Sequence, residues 1–375
     1  MPLPDDEFTL DSSVCYLNHA AVAPWPQRTV RAVERFAREN GTLGAQHYPR
    51  WLVVERNLRG QLQQLVNAES PDEIALLKNT SEALSVVAWG IDWRPGDQVV
   101  ITNREFPSNR VVWESLAGLG VEVIEADISP ADQAEAAVIG CIGPRTRLVS
   151  VSSVQYSTGL ALDLAAIGAA CRARGVLFCV DAIQSIGVMP FDVQACQADF
   201  VMADGHKWML GPEGLALFYC RRELQPMLTL RQYGWHMLED MGDYERRDWR
   251  AADSARRFEC GSPNMLGIHA LQASVGLLLE TGLEKIYQAV SRNISYLIDN
   301  MKSNGANILS ESAPHRRAGI VTFERPGLDM RQLHRYLMEN GVICALRGGG
   351  IRFSPHFYTR ESDLARALSV TFDYK

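Results

Sequence analysis

Seven short apolar runs, most of them separated by amphipathic segments, constrain the fold of this chain more than any other feature of its sequence. They lie between residues 73 and 222 and read EIALLKN, DQVVITN, VEVIEAD, RLVSVSS, VLFCVDA, ADFVMAD and LALFYCR. Strands that are apolar along their length are buried on both faces, and segments such as LDLAAIGAACRARG supply the covering helices. The alternation therefore predicts an α/β fold with a mainly parallel, seven-stranded sheet.

The sequence changes in character after RFECGSPNMLGIHAL. Long helical patterns cover residues 267–304, short strands are predicted near AGIVTFE and GVICAL, and a last helix is predicted near 361–372. We therefore predict a large domain over 23–262 and a smaller C-terminal α/β domain over 263–375. Residues 1–22 are expected to form an N-terminal segment that packs near the small domain and the functional site.

The charge balance restricts the partners of the protein. The formal net charge is −7, and such a surface does not favour nucleic acid or an anionic membrane, because both reward basic groups. We expect a small-molecule partner, no nucleic acid and no membrane. The first residues, MPLPDDEFTLDSS, lack the basic and apolar regions of a secretory signal. No uncharged apolar stretch reaches the roughly 20 residues of a membrane helix, so a cytoplasmic location is expected.

The eight cysteines indicate neither a disulfide framework nor a metal site. They form no C-x-x-C pair and lack the spacing of zinc ligands, and reduced cysteine packs as a small hydrophobic residue. We therefore expect buried free thiols and no bound metal. The cysteines are Cys15, Cys141, Cys171, Cys179, Cys196, Cys220, Cys260 and Cys344.

Polar residues follow directly after three of the predicted strands, where ligands of open α/β sheets bind. Thr80 and Ser81 open the helix after the first run, where hydroxyls and free backbone N–H groups hold phosphate. Asp181 and, three residues later, Gln184 follow the fifth run, and the sixth ends on Asp204-Gly-His206-Lys207. Each has a simpler interpretation: a helix cap for Thr80 or Ser81, a loop acid for Asp181, a solvated amine for Lys207.

A phosphate cradle, an acid and a lysine on one edge of the sheet are what pyridoxal phosphate requires. Its aldehyde forms a Schiff base with a lysine, its phosphate binds at a helix start, and a carboxylate keeps its pyridine nitrogen protonated. A lysine in a dry pocket has a lowered pKa and becomes nucleophilic, which an arginine does not. The set therefore predicts a pyridoxal 5'-phosphate site.

Eight segments along the chain together resemble the class V aminotransferases, the group of cysteine desulfurases, isopenicillin N epimerase-like proteins and C–S lyases. The segment that carries most of the likeness is a strand-Asp-x-x-Gln followed about two dozen residues later by His-Lys. The resemblance covers about residues 16–360. The segments are YLNHAAVAPWP, NTSEAL, NREFPSN, SVQYSTG, VDAIQSIG, DGHKWMLGPEG, RFECGSPN and GGGIRFSPHFYT.

The resemblance implies fold type I, a homodimer with the site at the subunit interface, and a role for each matching residue. Lys207 is implied to carry the cofactor as the internal aldimine and then to move the substrate α-proton, and Asp181 to pair with the pyridinium. Gln184 and Gln155 are implied to hydrogen-bond the phenolic oxygen. The implied phosphate contacts are Thr80, Ser81 and His206, with Ser262 donated by the other subunit.

Three further residues are implied to meet the cofactor ring or the substrate. Phe106 is placed to stack on the ring, Arg352 to bind the substrate carboxylate, and His19 to approach the substrate. Simpler alternatives remain: a core position for Phe106, a helix cap for Ser262 and a structural role for His19. Trp235 and His236 in QYGWHM are candidate pocket residues without an assigned role.

Two departures from the cysteine desulfurase pattern bear on the reaction. Asp204 stands where those enzymes often have a hydroxyl residue, and a carboxylate repels phosphate unless it points elsewhere or meets a cation. The segment ICALRGGGIRF leaves no room for the loop that carries their nucleophilic cysteine, and Cys344 within it is expected to be buried. The roles of Asp204 and Cys344 stay open.

The sequence thus predicts a pyridoxal phosphate enzyme that acts on an α-amino acid through a Lys207 aldimine and a quinonoid intermediate. Transamination and C–S lysis of a cysteine-like substrate are preferred; an epimerase, or a desulfurase without the usual cysteine loop, are the alternatives. The steps shared by these reactions leave the substrate undetermined. A non-catalytic cofactor-binding protein is a further alternative, whereas a nicotinamide dehydrogenase is disfavoured because no G-x-G-x-x-G follows the first strand.

Overall fold

The computed structural model describes residues 7–129, 131–311 and 313–375, so residues 1–6 of the predicted N-terminal segment lie outside the described residues. The helices are α1 Gln27–Leu43, α2 Tyr48–Val66, α3 Thr80–Gly90, α4 Ser108–Glu114, α5 Ala134–Gly140, α6 Leu164–Arg174, α7 Met265–Thr281, α8 Leu283–Ser303, α9 Met330–Glu339 and α10 Glu361–Asp373. The strands are β1 Cys15–Tyr16, β2 Ile74–Leu77, β3 Gln98–Thr102, β4 Glu122–Ala126, β5 Thr146–Ser152, β6 Leu177–Asp181, β7 Phe200–Asp204, β8 Ala216–Cys220, β9 Asn307–Ile308, β10 Val321–Glu324, β11 Val342–Ile343, β12 Ala345–Arg347 and β13 Gly350–Phe353.

The central sheet has seven strands in the order β2-β8-β7-β6-β5-β3-β4. The pairs β3/β4, β3/β5, β5/β6 and β6/β7 are parallel, and only β8 runs against its neighbours β7 and β2. Residues 205–215, which join β7 to β8, are too few for the helical crossover that a parallel pair needs. The predicted mainly parallel, seven-stranded sheet is confirmed, and the carboxyl ends of β2, β6 and β7 meet at one edge.

Both faces of this sheet are buried, which explains why its strands are continuous apolar runs. Successive residues of β2 enter different cores: Ile74 and Leu76 pack in one, Ala75 and Leu77 in the other. Side chains alternate between the faces of a strand, so burial on both sides requires apolar residues at every position. Helix α7 packs against α1 and α2.

A second sheet lies in the C-terminal part of the chain. Its four strands are antiparallel in the order β12-β13-β10-β9, and β1 pairs separately with β11. Gly348 and Gly349, with φ of 59° and 83°, form the two-residue turn between β12 and β13, a conformation that side chains other than glycine rarely adopt. The domain boundary between residues 262 and 263 stays a prediction.

No single helix in the described part of the chain combines the length and apolarity needed to cross a membrane. Only α7 and α8 taken together reach that length and composition, and they are bent by 83° relative to each other.

Candidate active site

A cavity of about 310 Å³ opens at the edge where β2, β6 and β7 end, and the hairpin β12–β13 and Ala20–Val22 also contribute to its wall. Its size is in the range of small-molecule sites. The structure brings eight of the eleven predicted site residues onto its lining: Thr80, Ser81, Phe106, Asp181, Gln184, His206, Lys207 and Arg352.

Lys207 lies in the turn between β7 and β8 with its amine directed at an aromatic wall. Its Nζ is 5.7 Å from the centre of the Phe106 ring. Burial lowers the pKa of Lys207 from 10.5 to about 8; the charge of Asp181 opposes this shift, and that of Arg352 adds to it. An amine with this pKa is partly unprotonated near neutral pH and can act as a nucleophile.

Asp181, the last residue of β6, is 2% exposed and faces the same cavity. Its Oδ1 accepts a 3.1 Å hydrogen bond from the Ile183 amide. Burial raises the pKa of Asp181 from 3.8 to about 7, and the charge of Glu105 adds to the rise while the Ile183 hydrogen bond opposes it. A carboxylate in this position is stabilised as the anion by a cationic partner such as a pyridinium.

The start of α3 offers a site for an anion. The side chain of Asn79, not of Thr80, caps the helix, accepting a 2.8 Å hydrogen bond from the Glu82 amide. The buried Thr80 hydroxyl therefore has no hydrogen-bond partner among the described residues, while the Ser81 hydroxyl donates to Ser108 at 2.8 Å. An unsatisfied buried hydroxyl beside free helix N–H groups is suited to phosphate.

The carboxylate of Asp204 lies beside the imidazole of His206. Its Oδ1 lies 3.1 Å from Nδ1 of His206, and both residues line the cavity. Neither of these two atoms has a hydrogen-bond partner among the described residues, so both are available to a ligand of the cavity.

Gln184 is held in one orientation. Its Oε1 accepts a hydrogen bond from Trp208 Nε1 at 2.8 Å, and its Nε2 donates to the Ala20 carbonyl at 3.1 Å. Because an amide nitrogen carries two hydrogens, one remains to donate into the cavity. Gln155 is buried behind this lining; its Nε2 approaches the Thr102 hydroxyl at 3.4 Å, and its Oε1 has no partner among the described residues.

Arg352, on β13, is buried without an acidic partner in the described structure. Its Nη1 donates to the Tyr156 carbonyl at 2.7 Å, and its Nε has no hydrogen-bond partner. Burial lowers its pKa to about 10, and the nearby charge of Arg347 adds to the shift. A buried guanidinium with free donors binds a carboxylate strongly.

Phe106 is exposed to the cavity, not packed in the core. It is 41% exposed, and its ring meets Tyr156 edge-on at a centroid distance of 5.2 Å. An open ring face of this kind can stack on a planar ligand.

The structure does not place His19 on the cavity wall. It is fully buried; its Nδ1 lies 2.8 Å from the Ser354 carbonyl and its Nε2 lies 2.6 Å from the Tyr358 hydroxyl. Burial lowers its pKa to about 4. The predicted substrate contact is therefore replaced by a structural role, since both ring nitrogens already have partners.

Ser262 and His236 also lie away from the cavity. Ser262 is exposed and lines a separate cavity with Lys78 and Glu82, and its predicted phosphate contact stays a prediction. His236 is buried near Glu259, with Nδ1 and Oε2 3.6 Å apart. Trp235 contacts the His236 ring edge-on and is not on the cavity wall.

Among the described residues, one group of side chains has the composition of a metal site. Potential ligand atoms of Glu55, His236 and Glu259 lie within 4.8 Å of one another. Arg59 donates to Glu55 at 2.7 Å and to Glu259 at 2.6 Å. The guanidinium of Arg59 therefore already forms ion pairs with both carboxylates.

The cysteine chemistry of the desulfurases has no counterpart on the cavity wall, where none of the described lining residues is a cysteine. Cys344 is 3% exposed, and burial raises the pKa of its thiol to about 12. It is therefore unreactive as a thiolate at neutral pH.

Sequence reasoning missed a buried acid that supports the wall. Glu105 accepts hydrogen bonds from the hydroxyls of Thr102 at 2.7 Å and Ser152 at 2.5 Å, and from the side-chain amide of Asn109 at 2.9 Å. These bonds tie the residue before Phe106 to the sheet. The sequence signal for this residue is an acid in the short segment NREFPSN, which lies between the apolar runs QVVIT and RVVW. A carboxylate that is buried there needs several hydrogen-bond donors around it.

Three further residues at the site were not singled out from the sequence. Trp208 orients Gln184, the Tyr156 carbonyl holds Arg352, and Arg347 lines the cavity. The glycine turn of ALRGGGIRF could have revealed Arg347, because a two-residue hairpin places it on the same face as Arg352.

These features fit pyridoxal 5'-phosphate. The unpartnered Thr80 hydroxyl is available for the phosphate, the buried Asp181 for the ring nitrogen and the spare Gln184 donor for the phenolic oxygen. Lys207 supplies an amine within the same cavity.

Comparison with known proteins agrees with this fit. The chain matches the Aminotransferase class-V family over residues 15–366. A probable cysteine desulfurase of Methanothermobacter thermautotrophicus is 31% identical, over 93% of this chain and 92% of the relative. The structure of the cystine C–S lyase C-DES with its product cysteine persulfide is 26% identical, with a TM-score of 0.89, over 96% of this chain and 98% of that chain. An apo cysteine desulfurase of Thermococcus onnurineus, 23% identical over 100% of this chain and 98% of that chain, shares the fold with a TM-score of 0.86.

The fold and the site define a pyridoxal phosphate-dependent enzyme of fold type I, a lyase or transferase. The chain belongs to the class V aminotransferase family. The predictions of family, fold class and cofactor are confirmed.

Proposed function

We propose that this enzyme cleaves the C–S bond of a cysteine-like α-amino acid, with Lys207 as the residue that carries the cofactor and moves the substrate α-proton. Bound pyridoxal phosphate withdraws electrons from the substrate α-carbon. The observation that carries the proposal is that Lys207, Asp181 and Arg352 line one cavity. The likeness to the cystine C–S lyase C-DES supports the choice of sulfur substrate.

Each residue of the cavity has a separate role in this reaction. Arg352 binds the substrate carboxylate through its free donors, which fixes the α-carbon relative to the Lys207 amine. Lys207 Nζ accepts the α-proton, and its pKa of about 8 suits proton transfer near neutral pH. Asp181 holds the proton on the ring nitrogen, while Thr80, Ser81 and His206 bind phosphate and Gln184 donates to the phenolic oxygen.

A lyase is favoured over a desulfurase because the cavity offers no thiol to accept sulfur. The described lining residues include no cysteine, and Cys344 is buried with a raised pKa. Sulfur then leaves with the product, not on the protein. Transamination is the second candidate, since the same binding and proton-transfer residues serve it; epimerisation and a non-catalytic role are the remaining alternatives.

A homodimer and a cytoplasmic location are part of the proposal. The exposed Ser262, separate from its own subunit's cavity, is available to a second subunit's phosphate site. All eight cysteines are free, which suits a reducing compartment.

A stopped-flow absorbance screen of the holoenzyme tests the proposal. The enzyme is mixed with the twenty common amino acids, cystine and cysteine sulfinate, while pyruvate, ammonia and sulfide are assayed. Pyruvate, ammonia and a sulfur product from cysteine or cystine support the lyase. Conversion of the cofactor to its amine form without ammonia identifies a transaminase. Loss of the L-configuration at the α-carbon, without release of pyruvate or ammonia, identifies an epimerase. No spectral change with any amino acid contradicts the proposal.

A further inference from the structure

The two residues that act on opposite ends of the substrate in the proposed reaction lie on separate sheets. Lys207 follows β7 of the central sheet, and Arg352 lies on β13 of the C-terminal sheet. The reaction rate depends steeply on how the proton acceptor is placed relative to the bound substrate. Contacts that join the Lys207 turn to the segment after β13 therefore bear directly on catalysis.

His356, four residues after Arg352, makes such a contact with the residue after Lys207. Its Nε2 lies 3.2 Å from the Trp208 carbonyl oxygen. His356 is fully buried, and its own carbonyl accepts a 3.0 Å hydrogen bond from the side-chain amide of Asn293 on α8. The contact therefore ties the lysine turn to the C-terminal part of the chain at a defined point.

The other ring nitrogen of His356 determines the direction of this hydrogen bond. Nδ1 lies 2.8 Å from the amide nitrogen of Phe357, and an amide N–H can only donate, so Nδ1 carries no proton. Burial lowers the pKa of His356 well below its ordinary value, which keeps the ring neutral. The single ring proton is therefore on Nε2 and is donated to the Trp208 carbonyl.

His19 has the opposite tautomer and holds the segment that carries His356. Its Nδ1 lies 2.8 Å from the Ser354 carbonyl oxygen, which can only accept, and its Nε2 accepts from the Tyr358 hydroxyl at 2.6 Å. The His19 and His356 rings meet edge-on with their centres 5.3 Å apart. The segment is thus fixed two residues before and two residues after His356.

Trp208 has little freedom to move independently of its neighbours. A Cβ on Gly187 would lie 2.4 Å from the Trp208 carbonyl oxygen, and a Cβ on Gly319 would lie 2.3 Å from the indole ring. Both glycines therefore pack directly against Trp208, at separations that a side chain does not allow. Because the Trp208 and Lys207 backbones are continuous, the position of the Trp208 carbonyl also determines that of Lys207.

We propose that His356 is a positioning residue for the reaction: its Nε2–H bond to the Trp208 carbonyl fixes the Lys207 amine relative to Arg352. The roles of Lys207 and Arg352 toward substrate rest on the proposed function, whereas the tautomer of His356 and its bond do not. Trp208 also orients Gln184, so the same bond bears on the surroundings of the cofactor.

Two polar substitutions separate this hydrogen bond from the presence of a polar side chain. His356→Gln retains an N–H donor near the position of Nε2, whereas the shorter side chain of His356→Asn ends near the position of Nδ1 and loses that donor. His334→Asn is the matched control, since Nε2 of His334 on α9 lies 3.3 Å from the carbonyl oxygen of Cys344, a residue that is not on the cavity wall. Urea unfolding compares the stability of the three variants.

The measurements are kcat and KM for the amino acid that the parent enzyme uses best, and the absorbance maximum and pH midpoint of the visible cofactor band. We expect His356→Asn to lower kcat about tenfold, the effect of losing one hydrogen bond, and to change KM by less than about twofold, because Arg352 still binds the carboxylate. The visible band should shift, because the Lys207 amine moves. His356→Gln and His334→Asn should stay within about twofold of the parent in kcat.

Equal kcat values in His356→Asn and His356→Gln, or an unshifted visible band in folded His356→Asn, overturn the proposal. Nitrogen-15 NMR of the histidine-labelled apoprotein, with His356→Gln used to assign the signal, measures the tautomer directly. A proton on Nδ1 of His356 overturns the proposal even when His356→Asn does not fold. Failure of the parent to convert any amino acid contradicts the proposed function alone, and the visible band and the NMR signal then decide on His356.

Discussion

Trp208 Nε1 donates a 2.8 Å hydrogen bond to Oε1 of Gln184, and this bond determines which end of the Gln184 amide faces the cavity. Trp208 is the residue after Lys207, so the turn that presents the amine also orients a donor for the cofactor. A buried amide held at both ends cannot flip without losing hydrogen bonds.

Trp208→Phe therefore alters the environment of the cofactor without removing its attachment. We expect a shifted visible absorbance maximum and a loss of about 1–3 kcal/mol in the free energy of unfolding, because a buried acceptor is left unsatisfied. Absorbance spectra and urea unfolding measure the two effects. Trp113→Phe is the control, since Trp113 is also fully buried and donates to Asn109 at 3.0 Å. A similar loss of stability in both variants with an unchanged Trp208→Phe spectrum refutes the orienting role.

Lys207→Ala should fold but lose the visible band that borohydride discharges, because no other described amine lines the cavity. Absorbance before and after reduction, with circular dichroism to verify folding, measures the outcome. Lys285→Ala, an exposed lysine on α8, provides the matched control and keeps the band. A reducible band that persists in folded Lys207→Ala excludes Lys207 as the anchor.

Arg352→Gln should raise KM for amino acids by roughly 100-fold, the expected effect of removing one partner of a buried charge pair. The visible band that borohydride discharges should remain without substrate, because this variant keeps Lys207. Arg352→Lys keeps the charge but loses the fork, so an intermediate KM is expected. Steady-state kinetics with the amino acid that the parent enzyme uses best measures these KM values. Equal KM values in Arg352→Gln and the parent would mean that Arg352 does not bind the substrate carboxylate.

Asp181→Asn should stabilise the apoprotein in a pH-dependent way. Burial raises the pKa of Asp181 from 3.8 to about 7, so the unfolded chain releases this proton at lower pH than the folded protein. Rising pH between these values therefore favours unfolding, and the stability present at low pH is lost as pH rises through about 7. Asn has no proton to release, so the variant should gain at most roughly 4 kcal/mol above pH 7, and the gain should shrink toward pH 4.

Urea unfolding of the apoproteins between pH 5 and 8 measures this difference. Asp92→Asn, at an exposed position, controls for the loss of one negative charge. Although the substitution should stabilise the apoprotein, it should lower the activity of the holoenzyme, because Asn cannot hold the proton on the ring nitrogen. An apoprotein stability difference that is the same at every pH contradicts the raised pKa.

Much of the fold and part of the site followed from local sequence patterns. The seven apolar runs correspond to β2–β8, because a strand buried on both faces must be apolar at every position. Lys207, Asp181 and Thr80 were identified because each follows directly after a strand, and the ends of parallel strands share one edge.

Other features depended on contacts between distant segments. Thr80 is free for a ligand because Asn79 caps the helix, and His19 is structural because Ser354 and Tyr358 occupy its nitrogens. Sequence spacing does not specify which of several polar neighbours takes a hydrogen bond, since that depends on register and packing.

The sequence by itself therefore determined the class of sheet, the family resemblance and the position of the lysine along the chain, because these depend on periodicity and on residues adjacent in sequence. The tertiary structure alone decided that Arg347 joins Arg352 in the cavity and that Trp208 orients Gln184. These properties arise where β6, β7 and the β12–β13 hairpin meet, and burial and hydrogen bonding there exist only after the chain has folded.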